Sequence, residues 1–293
     1  MKLKLDKESA RIFSGSLRQK LKPRPVLIAG PYVGEFGHEL LDWQGYVRER
    51  RRHYEQVHVI TYPGRKILYE SCVVHEHQIR LESAGYYYGN MSLDTMLQHA
   101  RRKAEELGIE NYDVFNTFML SSRILRKVLW RQVFVEVHAP ISAVDRFDLA
   151  FHFRQMDKLG PDKLKNYPTQ MADNLAQLCV DAGYKCCSIG HPLGSYCPSP
   201  CVDFRSKNLD SSVLAIDSSR LVVGEISGPM HLANLCGKPT LIWAQDQWRI
   251  DYSFRGNIFH VPLFVAANNT FKPDPVLLKA KIDQAMNDLP RPQ

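Results

Sequence analysis

Ser227-Gly228-Pro229-Met230-His231 has the residue types of an anion-binding turn. It follows the apolar run Leu221-Val222-Val223 and leads into a stretch that stops at Gly237. Ser227 or Gly228 suits the cap of a helix, and Pro229 suits its first position, where an N–H would have no intrahelical partner. Unpaired N–H groups and the positive dipole end of such a helix attract phosphate, and small residues let the phosphate approach the backbone. A second set, Arg154 and Lys158, follows the strand-like run 148–153. A guanidinium there can grip a diphosphate through paired hydrogen bonds. The third set is Glu35, His38 and Glu39 in the glycine-containing turn 30–37 and just after it. Glu35 or Glu39, with His38 as the alternative, can take the proton of an attacking hydroxyl. Each set also has a plainer reading: strand-turn-helix units need glycines and caps in any case, and an acidic group is favourable at any helix start.

Short apolar runs alternate with helical patterns through most of the chain. Strands are expected at 25–30, 57–61, 113–116, 148–153, 185–189, 221–223 and 240–243. Helices are expected at 37–51, 66–72, 92–107, 169–182, 211–218, 228–236 and 275–289. Ser92 caps the third of these helices and Gly108 ends it, while Gly183 and Gly237 stop two others. Such alternation calls for parallel sheets covered by helices on both faces. The expected fold class is α/β, with two Rossmann-like lobes facing a central cleft. The irregular stretch 139–145 sets the boundary: an N-terminal lobe over 1–142 and a C-terminal lobe over 143–293, the closing helix able to pack back on the first. Ligands of open parallel sheets bind beyond the carboxyl ends of the strands. All three residue sets stand at such ends.

The 293 residues are 44% hydrophobic and 24% charged, an ordinary globular balance rather than a disordered one. Thirty-eight Lys and Arg against 31 Asp and Glu leave a net charge of +7, which favours anionic partners. The charge is dispersed, and its one dense run, Arg48 to Arg52, reads as a solvated helix end, so nucleic acid is not the expected partner. Seven cysteines with no secretory leader argue against a disulfide framework, and Cys197 and Cys201 lack zinc-site spacing. No apolar run approaches the roughly 20 residues of a membrane span. The expectation is a cytoplasmic protein, with peripheral membrane contact left open. His75-Glu76-His77 reads as surface, Tyr86-Tyr87-Tyr88 as a packed strand or an acceptor groove, and Gln245, Asp246 and Trp248 as cleft-side residues.

The segment from Ser227 to Ala233, followed by Gly237-Lys238-Pro239-Thr240, resembles the donor-diphosphate motif of bacterial lipopolysaccharide heptosyltransferases and their GT-B superfamily. It departs in one place, having Ile226 where that family carries Asp, with Glu225 one residue earlier. His152, Arg154, Asp157 and Lys158 also resemble the His-x-Arg-x-x-Asp-Lys motif of fucosyltransferases, in which the Arg holds a GDP diphosphate. The resemblance implies a metal-independent, inverting glycosyltransferase with no cofactor beyond its nucleotide-diphosphate-sugar donor. Its acceptor would be a glycan, glycolipid or small molecule. Arg154, Lys158, Glu225, Ser227, Gly228, Pro229, Met230 and His231 would line the donor site, while Glu35, Glu39 or His38 would act as base. A nucleotide-sugar epimerase or hydrolase, or an inactive nucleotide-sugar-binding protein, fits the same residues.

Overall fold

The computed structural model describes residues 17–19, 21–79, 91–120, 131–140, 145–156, 164–254 and 259–290. Asp157, Lys158 and Tyr86 to Tyr88 lie outside the described residues. The chain divides into two compact units, Met1–Phe134 and Val135–Gln293.

The first unit is built on four parallel strands: β1 (Val26–Ala29), β2 (Gln56–Thr61), β3 (Val73–Glu76) and β4 (Tyr112–Phe115), in the order β3-β2-β1-β4. β1 reads Val-Leu-Ile-Ala without alternation because both faces of a central parallel strand are covered. Helix α1 (Gln44–Arg51) is entered through a single turn, Phe36–His38, and a π-helical turn, Glu39–Trp43. Helix α2 (Leu93–Glu106) starts where the Ser92 hydroxyl accepts the Thr95 amide at 3.2 Å, and packs Ala100 and Ala104 on Ile28 and Ile60. The helix expected at 66–72 is one 3₁₀ turn, Lys66–Leu68. Ser71 then takes a left-handed φ of 63°, and the chain enters β3, so helix propensity yields to the need for a fourth strand.

The second unit contains β5 (Phe147–Arg154), β6 (Cys186–Ser188), β7 (Ser195–Tyr196), β8 (Val202–Asp203), β9 (Ser219–Glu225), β10 (Thr240–Trp243) and β11 (Leu263–Ala267). Its helices are α3 (Thr169–Asp181), α4 (Leu209–Asp217), α5 (Gly228–Leu235), α6 (Gln247–Phe254) and α7 (Pro275–Asp288). The sheet runs β11-β10-β9-β5-β6-β8, every pair parallel, with β7 added antiparallel to β5. This is the doubly wound order, and it reverses between β5 and β9, the place where such sheets hold ligands. Phe151, Phe153, Tyr167 and Trp243 stack beneath that point at centroid spacings of 5.2–5.5 Å along the series. Each aromatic step adds about 0.5–1.5 kcal/mol beyond its area burial. The buried polar tips are met, Tyr167 Oη donating to the Pro273 carbonyl and Trp243 Nε1 to that of Phe271. The closing helix α7 is capped by Asp274 and buries Leu278, Ile282, Ala285 and Met286 in this same core.

Candidate functional site

β5 and β9 separate at their carboxyl ends. His152 sits opposite Gly224 in register, so Arg154 and Glu225 stand just beyond the last paired residues. The two strands approach closely because position 224 has no side chain: a Cβ there would lie 2.7 Å from the His152 carbonyl oxygen and 2.9 Å from Met230 Sδ. Glu225 bridges the gap, its Oε1 accepting the Arg154 amide at 2.5 Å. His152 Nε2 lies 3.7 Å from the same oxygen, and its Nδ1 must donate to the Ile189 carbonyl at 3.2 Å, which accepts only. Burial pushes the Glu225 carboxyl up to about 8, against the pull of the Arg154 amide and charge. Burial, with Arg154 adding repulsion, pushes His152 down to about 4. Both side chains are therefore uncharged near pH 7.

The turn from β9 into α5 has open valences. Ser227 takes the N-cap position with extended φ/ψ, yet its hydroxyl makes no cap bond and is a buried oxygen without a partner. The Met230 and His231 amides both turn to the Ser227 carbonyl, at 3.1 and 3.3 Å, and Pro229 has no N–H. The Gly228 amide meets no acceptor among the described residues. A buried hydroxyl, a bare amide and the positive end of an eight-residue helix thus follow closely on Glu225, whose carboxyl holds the Arg154 amide. Met230 and His231 contribute packing, Met230 against Gly224 and the His231 ring on Phe254 of α6 at 5.2 Å. Asp246 is held by Arg249, while Trp248 is exposed and stacked on Tyr252.

In the first unit the corresponding switch point lies between β1 and β4, and the turn after β1 crosses it. Gly30 has φ +124°, and a Cβ there would lie 2.5 Å from the Ile60 carbonyl oxygen, a contact that only glycine permits. Of the three residues singled out in this turn, Glu39 is fully buried. Its carboxylate accepts from Thr61 Oγ1 at 2.5 Å and Tyr69 Oη at 2.6 Å, and pairs with Arg65, whose guanidinium lies over the Phe36 and Tyr62 rings. Glu35 is exposed and makes no cap bond, and its carbonyl accepts from Tyr32 Oη. His38 Nδ1 lies 3.1 Å from Asp42 Oδ2. That aspartate, one turn on, orients an imidazole in the manner of an acid–base pair. His75, expected at the surface, pairs its Nε2 with Nδ1 of the buried His58 at 2.9 Å. Among the described residues no cluster of three or more His, Cys, Asp or Glu is arranged to hold a metal ion.

No protein-family model and no curated protein matches the chain. Solved structures do. E. coli ADP-heptose LPS heptosyltransferase II aligns over 90% of this chain and 99% of its own at 12% identity, with a TM-score of 0.57. E. coli heptosyltransferase WaaC with ADP-2-deoxy-2-fluoro heptose aligns over 89% and 99% at 12% identity and TM-score 0.53. A glycosyl transferase family 9 protein of Veillonella parvula aligns over 93% and 91% at 11% identity and TM-score 0.52. Two α/β units built on parallel sheets, covered almost end to end by these structures, show that the chain shares the fold of these transferases.

Proposed function

We propose that the chain is a glycosyltransferase moving a sugar from a nucleotide-diphosphate sugar to an acceptor hydroxyl, without a metal ion and with inversion at the anomeric carbon. The observation that carries this is the turn between β9 and α5 at the sheet's switch point: the Gly228 amide and the Ser227 hydroxyl have no partner among the described residues, and they follow closely on Glu225, which holds the Arg154 amide. The second unit takes the donor and the first the acceptor. An acceptor oxygen forms the new bond to the anomeric carbon as the bond from that carbon to the diphosphate oxygen breaks. His38, oriented by Asp42, takes the hydroxyl proton, and the exposed Glu35 is the other group able to do so. The leaving nucleoside diphosphate is stabilised by the Gly228 amide, the helix dipole and the Arg154 guanidinium. These fixed charges supply what a metal would otherwise supply.

The test is a thermal-shift screen with the diphosphate sugars UDP-glucose, GDP-mannose and ADP-glucose, and with CMP-sialic acid, which has no diphosphate, for comparison. A donor at 100 times its Kd adds about 2.7 kcal/mol and raises the melting point. At least one of the three diphosphate sugars is expected to do so in the wild type and to lose its effect in Arg154→Ala. If none shifts the melting point, the donor site is refuted. If sugar is released at full rate with no acceptor present, the reaction is hydrolysis rather than transfer.

A further inference from the structure

Glu225 is the acid of the motif, yet it is placed where a ligand does not meet it. Its side chain is fully buried on the β5 side of the turn, and Ile226 takes the half-exposed position beside Ser227. Oε1 is occupied by the Arg154 amide, and Oε2 is a buried oxygen with no partner. A bare buried oxygen is tolerable on an uncharged acid and costly on a carboxylate. Removing the side chain would leave the Arg154 amide without its acceptor, at the point from which the guanidinium must reach a diphosphate.

We propose that Glu225 is a positioning residue for the donor diphosphate, acting as an uncharged acid: it holds the end of β5 through the Arg154 amide, and its ionisation sets the upper pH limit of donor binding. The proposal rests on the donor-site reading above. A diphosphate anion beside this group favours its neutral form, so binding and ionisation oppose one another.

The groups surrounding it leave the pH window to Glu225. On β5, His152 is neutral above its value of about 4, and Arg154 supplies the positive charge that pulls the carboxyl downward. Tyr167, ahead of α3, is raised by burial, by Asp274 and by Glu225 itself, so it keeps its proton throughout. On α5 the titratable side chain is His231, whose ring is packed on Phe254. With the free carboxyl at about 8, the occupied form loses affinity by a factor of 1 + 10^(pH − 8), roughly tenfold at pH 9 relative to pH 7.

The experiment titrates whichever of the three diphosphate sugars binds most tightly at pH 7, in wild type, Glu225→Gln and Glu225→Ala, from pH 7 to 9. Wild-type affinity is expected to fall about tenfold. Glu225→Gln, neutral at every pH, should rescue binding and keep it level. Glu225→Ala should bind more weakly at both ends. Ionisation of the base in the nucleotide is common to wild type and Glu225→Gln and cancels in their ratio. Calorimetry of the wild type in buffers of different ionisation enthalpy gives a check independent of variant folding: binding at pH 8 should take up about half a proton. Equal pH profiles for wild type and Glu225→Gln, or no proton uptake, overturn the proposal while leaving the donor site intact. No binding of any probe at pH 7 overturns the donor reading and this proposal with it.

Discussion

Replacing Glu39 separates a structural carboxylate from a catalytic one. Glu39→Ala leaves the Arg65 guanidinium, half of a buried pair, without its counter-charge and takes an acceptor from Thr61 Oγ1 and Tyr69 Oη. Breaking a buried ion pair by removing one partner costs about 3–5 kcal/mol, and each orphaned buried hydroxyl adds about 1–3 kcal/mol. The three contacts share one carboxylate and are not additive, so the expected loss is about 4–5 kcal/mol. Glu39→Gln sets an amide N–H₂ against Arg65 and should lose nearly as much. Urea unfolding, with hydrogen exchange followed on peptides from β1 and β2, localises the loss to the first unit. The double variant Glu39→Ala/Arg65→Ala should lose at least about 1 kcal/mol less than the sum of the singles, because the second change removes the stranded charge. Transfer rate per folded molecule should stay within about tenfold of wild type. The reasoning is refuted if Glu39→Gln unfolds within about 1 kcal/mol of wild type while its kcat falls a hundredfold or more, the signature of a lost general base.

The proposed division of labour gives a kinetic test: Arg154→Ala should weaken nucleotide-sugar binding, whereas His38→Ala should lower kcat by about 100-fold or more with little change in donor affinity. Equal losses of binding in both would contradict it. Gly224→Ala should cost about 1–3 kcal/mol, since its methyl would stand 2.7 Å from the His152 carbonyl oxygen, a backbone atom that has nowhere to go; an unchanged urea midpoint would show that the β5–β9 approach is looser than described. The Glu225–His152 pair sets a pH signature: Glu225, raised from 4.5 to about 8, contributes stability below 4.5 that is lost as pH rises to 8, and His152, lowered from 6.5 to about 4, contributes stability above 6.5 that is lost as pH falls to 4. Their sum is level from pH 4.5 to 6.5 and falls by about 2 kcal/mol from pH 6.5 to 8, and Glu225→Gln should abolish that fall in a urea titration of the second unit.

What the sequence disclosed follows from the range of the interactions involved. The α5 turn is legible because its signals are local: an apolar strand, glycine, a capping residue and proline at the helix start all act within a few residues. The same local grammar places α2, which has a cap at Ser92 and a glycine stop at Gly108, α3, which stops at Gly183, and α7, which starts with the Asp274 cap and Pro275. It fails for β7 and β8, two-residue strands with no room for periodicity, and for β11 and α6, although Asp246 caps α6 by accepting the Arg249 amide at 2.9 Å. Side-chain direction is less legible still. Every residue from Leu221 to Glu225 is buried, so β9 shows no alternation to tell that Glu225 turns toward the Arg154 amide rather than toward a ligand. Glu39 passes as a helix-start acid because its partners Arg65 and Tyr69 come 26 and 30 residues later, joined to it only once β1 and β2 have paired. Asp42 was the findable omission, one helical turn after His38 and on the same face. A motif scan therefore finds the backbone of the proposed phosphate turn more readily than the acids around it. Local spacing determines where the amides are, and long-range packing decides which carboxylates are left to do chemistry.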